Sequence, residues 1–198
     1  MLCGETWKPD VFRRLAQAMP PSMLIDVGAN EGQTLLDFEK AGLSQLDTVA
    51  FEPNPACAYY LGKLIAQNGW HHVSLLPVAL SDAPRWLTLE FGTENGSRAT
   101  IVADLRSGWT LRRQVVPCFT LDHLIRNGTI NVKRGILVKI DVEGGELEVL
   151  RGAQTTLRSF RPMVLCEVLW AACKEGIEFM QERNLALATV LRECDYEI

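Results

Sequence analysis

The sequence predicts an α/β protein in which helices cover both faces of a mostly parallel, doubly wound sheet. Stretches with strand character alternate with amphipathic helical stretches along most of the chain. The strand stretches are nearly continuous apolar runs, which is typical of parallel strands buried on both faces. Acidic residues follow several of these runs, at the edge of the sheet where doubly wound folds bind their ligands.

The expected elements follow from periodicity and from capping residues. Pro20 and Pro21 end the first helix, Asn54 is a suitable cap for the helix over 54–69, and Thr120 is a suitable cap for the helix over 120–128. The helices are expected over residues 10–18, 32–42, 54–69, 120–128, 145–160 and 174–184. The strands are expected over residues 23–27, 47–53, 86–91, 114–119, 135–142 and 162–168, with one more running from 72 into a loop at 82.

The composition is that of one globular domain. The chain has 198 residues and is 47% hydrophobic, which suits one substantial core and leaves a second full domain without room. We expect a single domain over residues 1–198. Its parts are a helix and lead-in over 1–21, a ligand-binding core over 22–168, and a helix with an edge strand over 169–198.

Charge and residue usage argue against several classes of function. The net charge is −4 and the basic residues are scattered, which indicates neither a nucleic-acid partner nor a membrane surface. No apolar run has membrane-spanning length and the first residues do not resemble a signal peptide, so we expect a cytoplasmic protein. The six cysteines form no CxxC pair and the three histidines lack ligand spacing, so no metal site is expected.

Five acidic residues lie at the expected carboxyl ends of strands. A single acid there is most simply explained as a helix cap or as the partner of a nearby cation. Because burying several carboxylates along one edge is costly, the set as a whole favours a ligand site. The residues are Asp26, Glu52, Asp82, Asp141 and Glu167.

The segment "LIDVGANEGQT", residues 24–34, predicts a tight turn between a strand and a helix. Gly28 permits the turn, and the helix that opens near Gly32 presents unpaired N–H groups to an anion. Asn30 stands where the dinucleotide-binding motif GxGxxG has its second glycine, which argues against NAD. A smaller anion, such as an amino-acid carboxylate, fits this turn better.

Two further acids complete a ligand hypothesis. Glu52, about 20 residues after the turn, is placed to accept hydrogen bonds from both hydroxyls of a ribose. Asp82 is a candidate acceptor for an adenine amino group. An adenosine with an amino-acid tail is S-adenosylmethionine, which we therefore expect as the cofactor.

Several segments, in this order, resemble the FkbM family of S-adenosylmethionine-dependent methyltransferases. They are "LIDVGANEGQT", "FEPNP", "VALSD", "TLDHLI" and "ILVKIDVEGGELEVLRGA", and the similarity runs from about residue 22 to residue 168. The resemblance implies the Rossmann-like methyltransferase fold. It also implies O-methylation of a hydroxyl on a small acceptor such as a sugar or a polyketide.

The resemblance also implies roles for individual residues. It places a cofactor loop at the first turn, a ribose contact after the second strand, an adenine contact after the third, and two acids beside the methyl group. The residues are, in that order, Asp26, Gly28, Asn30 and Gly32; Glu52; Ser81 and Asp82; and Asp141 and Glu143.

The C-terminal edge of the sheet departs from that fold. Such sheets usually finish with an antiparallel hairpin, whereas residues 188–198 leave room for about one strand. The C-terminal edge of the sheet is therefore expected to be short. Either the final strand is missing or another chain covers the edge, which suggests a homo-oligomer formed there.

Methyl transfer to a hydroxyl needs a group that accepts the proton, and three acids are candidates: Asp141, Glu143 and Glu167. Lys139 shares a strand face with Asp141 and needs a partner within an apolar strand, for which Glu167 is a reasonable choice. This Lys139–Glu167 pair belongs either to the catalytic site or to the packing of the sheet alone. Both readings remain open at this point.

The polar loop over residues 92–100 is expected near the ligand edge, as a lid, as an acceptor-binding loop or as an idle surface loop. Within it Ser97 is a candidate cofactor contact, and Trp170 is a candidate wall of the acceptor pocket. Two other functions stay open: a dehydrogenase, which the missing glycine disfavours, and a non-catalytic cofactor-binding or scaffolding domain of a larger assembly.

Overall fold

The computed structural model describes residues 7–92, 99–100, 111–169 and 177–198. Its helices are α1 (Lys8–Ala18), α2 (Gln33–Lys40), α3 (Pro55–Asn68), α4 (Leu121–Arg126), α5 (Glu146–Arg151), α6 (Gln154–Phe160) and α7 (Ile177–Glu193). Its strands are β1 (Met23–Val27), β2 (Asp47–Phe51), β3 (Val73–Leu76), β4 (Ala79–Leu80), β5 (Arg85–Gly92), β6 (Ala99–Thr100), β7 (Leu111–Phe119), β8 (Ile136–Ile140) and β9 (Met163–Cys166).

The main sheet has five parallel strands in the order β3-β2-β1-β8-β9. Apolar clusters cover both of its faces, with Ile25 and Val138 in one and Leu24 and Leu137 in the other. This confirms the predicted α/β class, a Rossmann-like doubly wound sheet. From β1 the chain continues to β2 on one side of the sheet, and it returns later to place β8 on the other side of β1. A crevice therefore opens at the carboxyl end of β1, where such folds bind ligands.

A second, smaller sheet has the order β4-β7-β5-β6. The strand expected to run from residue 72 to residue 82 is divided between the two sheets: β3 pairs with β2, and β4 pairs with β7. Strands β5 and β7 form a long antiparallel pair. The division brings the apolar residues Ala79 and Leu80 of β4 to the crevice of the main sheet.

The single helix expected over residues 145–160 is two helices, α5 and α6, separated near Gly152. The break coincides with a close approach: a β-carbon on Gly152 would lie 2.0 Å from the carbonyl oxygen of Ser81. The Gly152 carbonyl also accepts a hydrogen bond from the Asp122 amide, at 3.0 Å. Gly152 thus lets the chain between the two helices pack directly on a neighbouring loop.

The C-terminal edge strand that we expected is helix. α7 continues to Glu193, and buried residues at helical spacing, Leu187, Val190, Leu191 and Cys194, pack against the main core. That spacing of three and four residues gives the segment an apolar helical face, which outweighs its strand-like composition. β9 is one of the two outer strands of the main sheet in the part of the chain described, and association of two copies through it stays a prediction. Within the described ranges, no helix combines the length and the apolar character needed to cross a bilayer.

Candidate functional site

A cavity of about 210 Å³ opens at the carboxyl ends of β1, β2 and β8. It has an apolar part, to which β2, β4 and β5 contribute, and a polar part formed by α2 and the ends of β1 and β8. Its walls include Lys8, Gly28, Asn30, Gln33, Thr34, Asp37, Phe51, Glu52, Val78, Leu80, Leu89, Lys139, Asp141 and Glu143. The crevice predicted at this edge of the sheet is therefore present. Six of the predicted site residues line it: Gly28, Asn30, Glu52, Lys139, Asp141 and Glu143.

The turn after β1 is shaped by close backbone packing. Gly28 has φ +81°, and a β-carbon on it would lie 1.9 Å from the carbonyl oxygen of Asp141. The amides of Gly28 and Ala29 both donate to the Phe51 carbonyl, at 3.0 and 2.9 Å. The missing side chain at Gly28 therefore makes room for the Asp141 backbone as well as for the turn, and is not explained by a ligand alone.

Gly32 begins α2 in a left-handed conformation, with φ +97°. A β-carbon there would lie 2.8 Å or less from side-chain atoms of Leu61 and Leu64, so this glycine lets α2 pack against α3. Asn30, between the two glycines, also has a positive φ of 51°. This is an uncommon conformation for a residue with a side chain, and asparagine tolerates it better than most.

Glu52 is held rigidly at the end of β2. One of its carboxylate oxygens accepts from the Asn30 amide at 2.8 Å, and the other accepts from the Asn54 amide at 2.7 Å. Burial raises the pKa of Glu52, and the two amide donors oppose that shift. Each oxygen keeps capacity for a second hydrogen bond, so the carboxylate can still accept two more donors from the cavity.

Lys139 contacts two acids at the floor of the site. Its Nζ lies 3.2 Å from Asp26 and 3.4 Å from Asp141, and it donates to the Gly28 carbonyl at 3.1 Å. Burial alone would lower the pKa of Lys139, but the two carboxylates outweigh burial and raise it. Asp26 is fully buried behind this cation, and burial raises its pKa against the opposing effect of Lys139. Asp26 thus serves to place Lys139.

The expected pairing of Lys139 with Glu167 was wrong. Both residues are described, and Lys139 pairs with Asp26 and Asp141 instead. Glu167 instead shares a hydrogen bond with Asp141. Burial opposes ionisation of Asp141, but Lys139 and this hydrogen bond outweigh it and lower the pKa of Asp141. The pairing register of β8 against β1 decides which acid Lys139 contacts, because it places Lys139 directly beside Asp26.

The pKa of Glu167 is raised well above its ordinary value of 4.5. Partial burial, its hydrogen bond to Asp141 and the nearby charges of Asp141, Glu143 and Glu146 raise its pKa to about 7. The residue is nonetheless exposed, so solvent screening limits the free energy that this shift represents. Asp141 and Glu167 therefore form a carboxyl pair that can hold one proton near neutral pH.

The loop that carries Glu143 is organised by residues that sequence reasoning did not single out. Glu146, the first residue of α5, accepts from the amides of Val142 and Gly144, both at 3.1 Å. Arg183 of α7 donates to the Gly144 carbonyl at 2.7 Å and makes two hydrogen bonds to Glu148. The "DVEGGE" motif marks the loop, but only the fold brings Arg183 to it.

Two predicted adenine contacts lie elsewhere. Among the residues that the structure describes, neither Ser81 nor Asp82 lines the cavity. Asp82 contacts Arg85 at 2.6 Å, and this partner lowers its pKa. Ser81 is buried and packs against Gly152. Val78, by contrast, is part of the apolar wall of the cavity. Ser97 and Trp170 lie outside the described residues.

Asp37 and Thr34 are cavity residues that we did not predict. Both lie on α2, one turn apart, and both are buried. Asp37 accepts from the side chains of Gln33 and Lys40, at 3.0 and 3.2 Å. The pattern "QTLLD" carries the signal, since an acid three residues after a threonine shares its helix face and so faces the same cavity. In the described part of the chain, no group of three or more His, Cys, Asp or Glu side chains is arranged to hold a metal ion.

The arrangement of a glycine turn, a strand-end acid and the β8 acid motif matches one known family. The profile of the methyltransferase FkbM domain matches residues 26–198. This chain belongs to the FkbM methyltransferase family. Membership in this family supports a methyltransferase function. The matched region begins at Asp26 and contains the cavity residues that follow it in the chain.

One solved structure is similar to this FkbM-family chain. It is the crystal structure of methyltransferase FkbM from Methylobacillus flagellatus KT, with a TM-score of 0.54 and 13% sequence identity. The match covers 85% of this chain and 37% of that one, so this chain spans little more than a third of the relative's length. At this identity the likeness shows the shared fold alone. No curated protein matches the chain significantly.

Proposed function

We propose that the protein is an S-adenosylmethionine-dependent methyltransferase that methylates a hydroxyl group of a small acceptor. The observation that supports this most directly is Glu52, a buried carboxylate held by two backbone amides inside a cavity at the switch point of the sheet. Family membership supplies the class of reaction. The hydroxyl and the cofactor are our inference from the residues.

The cavity residues fit the parts of the cofactor. Glu52 would accept hydrogen bonds from the two ribose hydroxyls. Phe51, Val78 and Leu80 provide apolar surface suited to an adenine ring. Around α2, Gln33 and Asp37 provide polar atoms for the amino-acid end. When bound, S-adenosylmethionine supplies a methyl group on positively charged sulfur, and transfer of that methyl leaves the electron pair of the carbon–sulfur bond on sulfur.

The remaining chemical requirement is a proton acceptor for the hydroxyl, because a neutral hydroxyl is a weak nucleophile. Asp141 lines the cavity and hydrogen-bonds to Glu167. A proton accepted by either carboxylate of this pair can be shared with the other. Such general-base assistance contributes roughly 10²- to 10⁴-fold. Glu143, on the loop above, stays a candidate for the same role.

The test of the cofactor is calorimetry with S-adenosylmethionine, S-adenosylhomocysteine and NAD on the same preparation. We expect the two sulfur compounds to bind and NAD to bind weakly or not at all. Glu52→Gln should weaken S-adenosylhomocysteine binding by about 1–3 kcal/mol, because ribose hydroxyls lose an acceptor. Glu39→Gln, the same change at an exposed position of α2, is the matched control and should bind normally.

The test of the base needs binding and turnover measured on the same variants: Asp141→Asn, Glu143→Gln and Glu167→Gln. Loss of the true base should lower turnover while leaving cofactor affinity nearly unchanged. If S-adenosylhomocysteine binds but no hydroxylated acceptor is methylated, the non-catalytic cofactor-binding domain becomes the better description. If NAD binds instead, the methyltransferase proposal is wrong for this site.

A further inference from the structure

A second cavity, of about 140 Å³, adjoins the first beneath the N-terminal helix. It lies between α1 and the carboxyl ends of β8 and β9. Its walls are Trp7, Lys8, Val11, Phe12, Thr34, Lys139, Ile140, Asp141, Leu165, Cys166 and Glu167. Four of these residues, Lys8, Thr34, Lys139 and Asp141, line both cavities. A group bound in the second cavity would therefore meet the first at Asp141.

The second cavity has two chemically different ends. The end away from the cofactor site is apolar and is formed by Val11, Phe12 and Leu165, whose side chains lie on the face of the sheet that α1 covers. The other end, where the two cavities meet, is polar: Asp141 and Glu167 share a hydrogen bond there, and Lys8, Thr34 and Lys139 lie beside them.

Its size narrows the possible ligand. A cavity of about 150 Å³ lined by aliphatic and aromatic side chains accommodates benzene. The present cavity, at about 140 Å³, is therefore wide enough for one six-membered ring. The ring of a sugar carries hydroxyls all around it, and those turned away from the polar end would find no partner among Val11, Phe12 and Leu165, at a cost for each unpaired group.

We propose that this second cavity binds the acceptor, and that the acceptor presents one hydroxyl on an apolar six-membered ring. The ring lies between α1 and Leu165, and its hydroxyl points toward Asp141 and Glu167, where the two cavities meet. Trp7, at the start of α1, covers the outer side of the ring. This inference rests on the proposed function for the identity of the reaction, but the binding of the ring is independent of it.

The experiment uses two fluorinated probes of similar ring size and opposite polarity, followed by ¹⁹F NMR on the full chain with and without S-adenosylhomocysteine. 4-Fluorophenol carries one hydroxyl on an apolar ring, and 2-deoxy-2-fluoroglucose carries several on a polar one. We expect saturable binding of 4-fluorophenol and none, or much weaker binding, of the fluoroglucose. Equal or tighter binding of the sugar would overturn the proposed class of acceptor.

Two variants test whether the probe binds in this cavity. Val11→Trp fills the cavity and should weaken 4-fluorophenol binding at least about tenfold, a change of about 1.4 kcal/mol. Ala18→Trp, on an exposed position of the same helix, is the matched control and should leave it unchanged. Trp7→Ala truncates an exposed side chain, cannot disturb the core, and should also weaken binding.

The outcomes separate this inference from the proposed function. Two outcomes reject the acceptor cavity and leave the cofactor proposal standing. In the first, the protein binds S-adenosylhomocysteine but not 4-fluorophenol. In the second, it binds 4-fluorophenol with an affinity that neither Val11→Trp nor Trp7→Ala changes. Probe binding that both variants weaken, in a protein that does not bind S-adenosylhomocysteine, supports the ring cavity and rejects the cofactor. In Val11→Trp, cofactor affinity should stay within about twofold, because Val11 does not line the first cavity.

Discussion

Gly28 and Asp141 pack so closely that a β-carbon on the glycine would lie 1.9 Å from the carbonyl oxygen of the aspartate. The two residues follow β1 and β8, which are neighbours in the main sheet. Their contact joins the turn that shapes the cofactor cavity to the strand end that carries the candidate base. The two parts of the site are therefore built as one unit, and a change at Gly28 should affect both.

Gly28→Ala should destabilise the protein by at least about 2 kcal/mol, because the alanine would have to adopt the positive φ of Gly28 and its β-carbon would clash with the Asp141 carbonyl. Gly42→Ala is the matched control, because Gly42 also has positive φ, at +79°, but nothing lies within 4 Å of its added β-carbon. Chemical denaturation of both variants separates backbone strain from the clash. Equal losses would mean that the Asp141 contact relaxes at little cost.

Lys139→Met should cost about 3–5 kcal/mol of unfolding free energy, because Asp26 is left buried without its cation. The double variant Lys139→Met with Asp26→Asn should lose much less, since the buried negative charge is also removed. The control is Lys133→Met, which breaks the exposed ion pair with Asp47 and should change the stability far less. A double variant as unstable as the single one would contradict the ion-pair explanation.

The carboxyl pair predicts a pH dependence of stability. The pKa of Glu167 is about 7 in the folded protein against an ordinary 4.5, so the folded state keeps a proton that the unfolded chain has lost between these values. Native stability contributed by this group is therefore present below about pH 4.5 and is lost as the pH rises to about 7.

Glu167→Gln keeps a neutral donor for Asp141 at every pH. The melting temperature of the variant should thus rise relative to the parent between pH 5 and pH 8. Glu178→Gln, at an exposed position of α7, should show no such trend. A parallel pH dependence of Glu167→Gln and the parent protein would show that Glu167 titrates normally.

Arg183→Ala should lower stability by roughly 1.5–3 kcal/mol, the range for hydrogen bonds to charged groups. It removes two hydrogen bonds to Glu148 and one to the Gly144 carbonyl, which tie α7 to the loop that carries Glu143. The affinity of Arg183→Ala for the cofactor should fall as well, because the loop that carries Glu143 lines the cavity. Denaturation and calorimetry on Arg183→Ala and on the exposed control Arg192→Ala measure both effects. Normal cofactor binding in a destabilised Arg183→Ala would show that the loop holds its shape without α7.

Patterns within short segments predicted most of the fold. Apolar runs located the strands of the main sheet, and capping signals were accurate where a side chain makes the cap: Asn54 accepts from the Ala56 amide at 3.0 Å, and Thr120 accepts from the His123 amide at 2.9 Å. The errors fall where distant segments meet. The break between α5 and α6 depends on contact with Ser81, and the helical state of the C-terminal segment depends on burial of Leu187 and Val190 against the core.

The sequence by itself determined the alternation of strands and helices in the main sheet, the family, and which strands end in acids, because these features depend on neighbouring residues. The tertiary structure alone decided what each acid does. Register beside β1 pairs Lys139 with Asp26, and Glu167 contacts Asp141 instead of Lys139. The physical reason is that electrostatic pairing depends on distances of 3 to 4 Å between residues far apart in the chain, and only packing sets those distances.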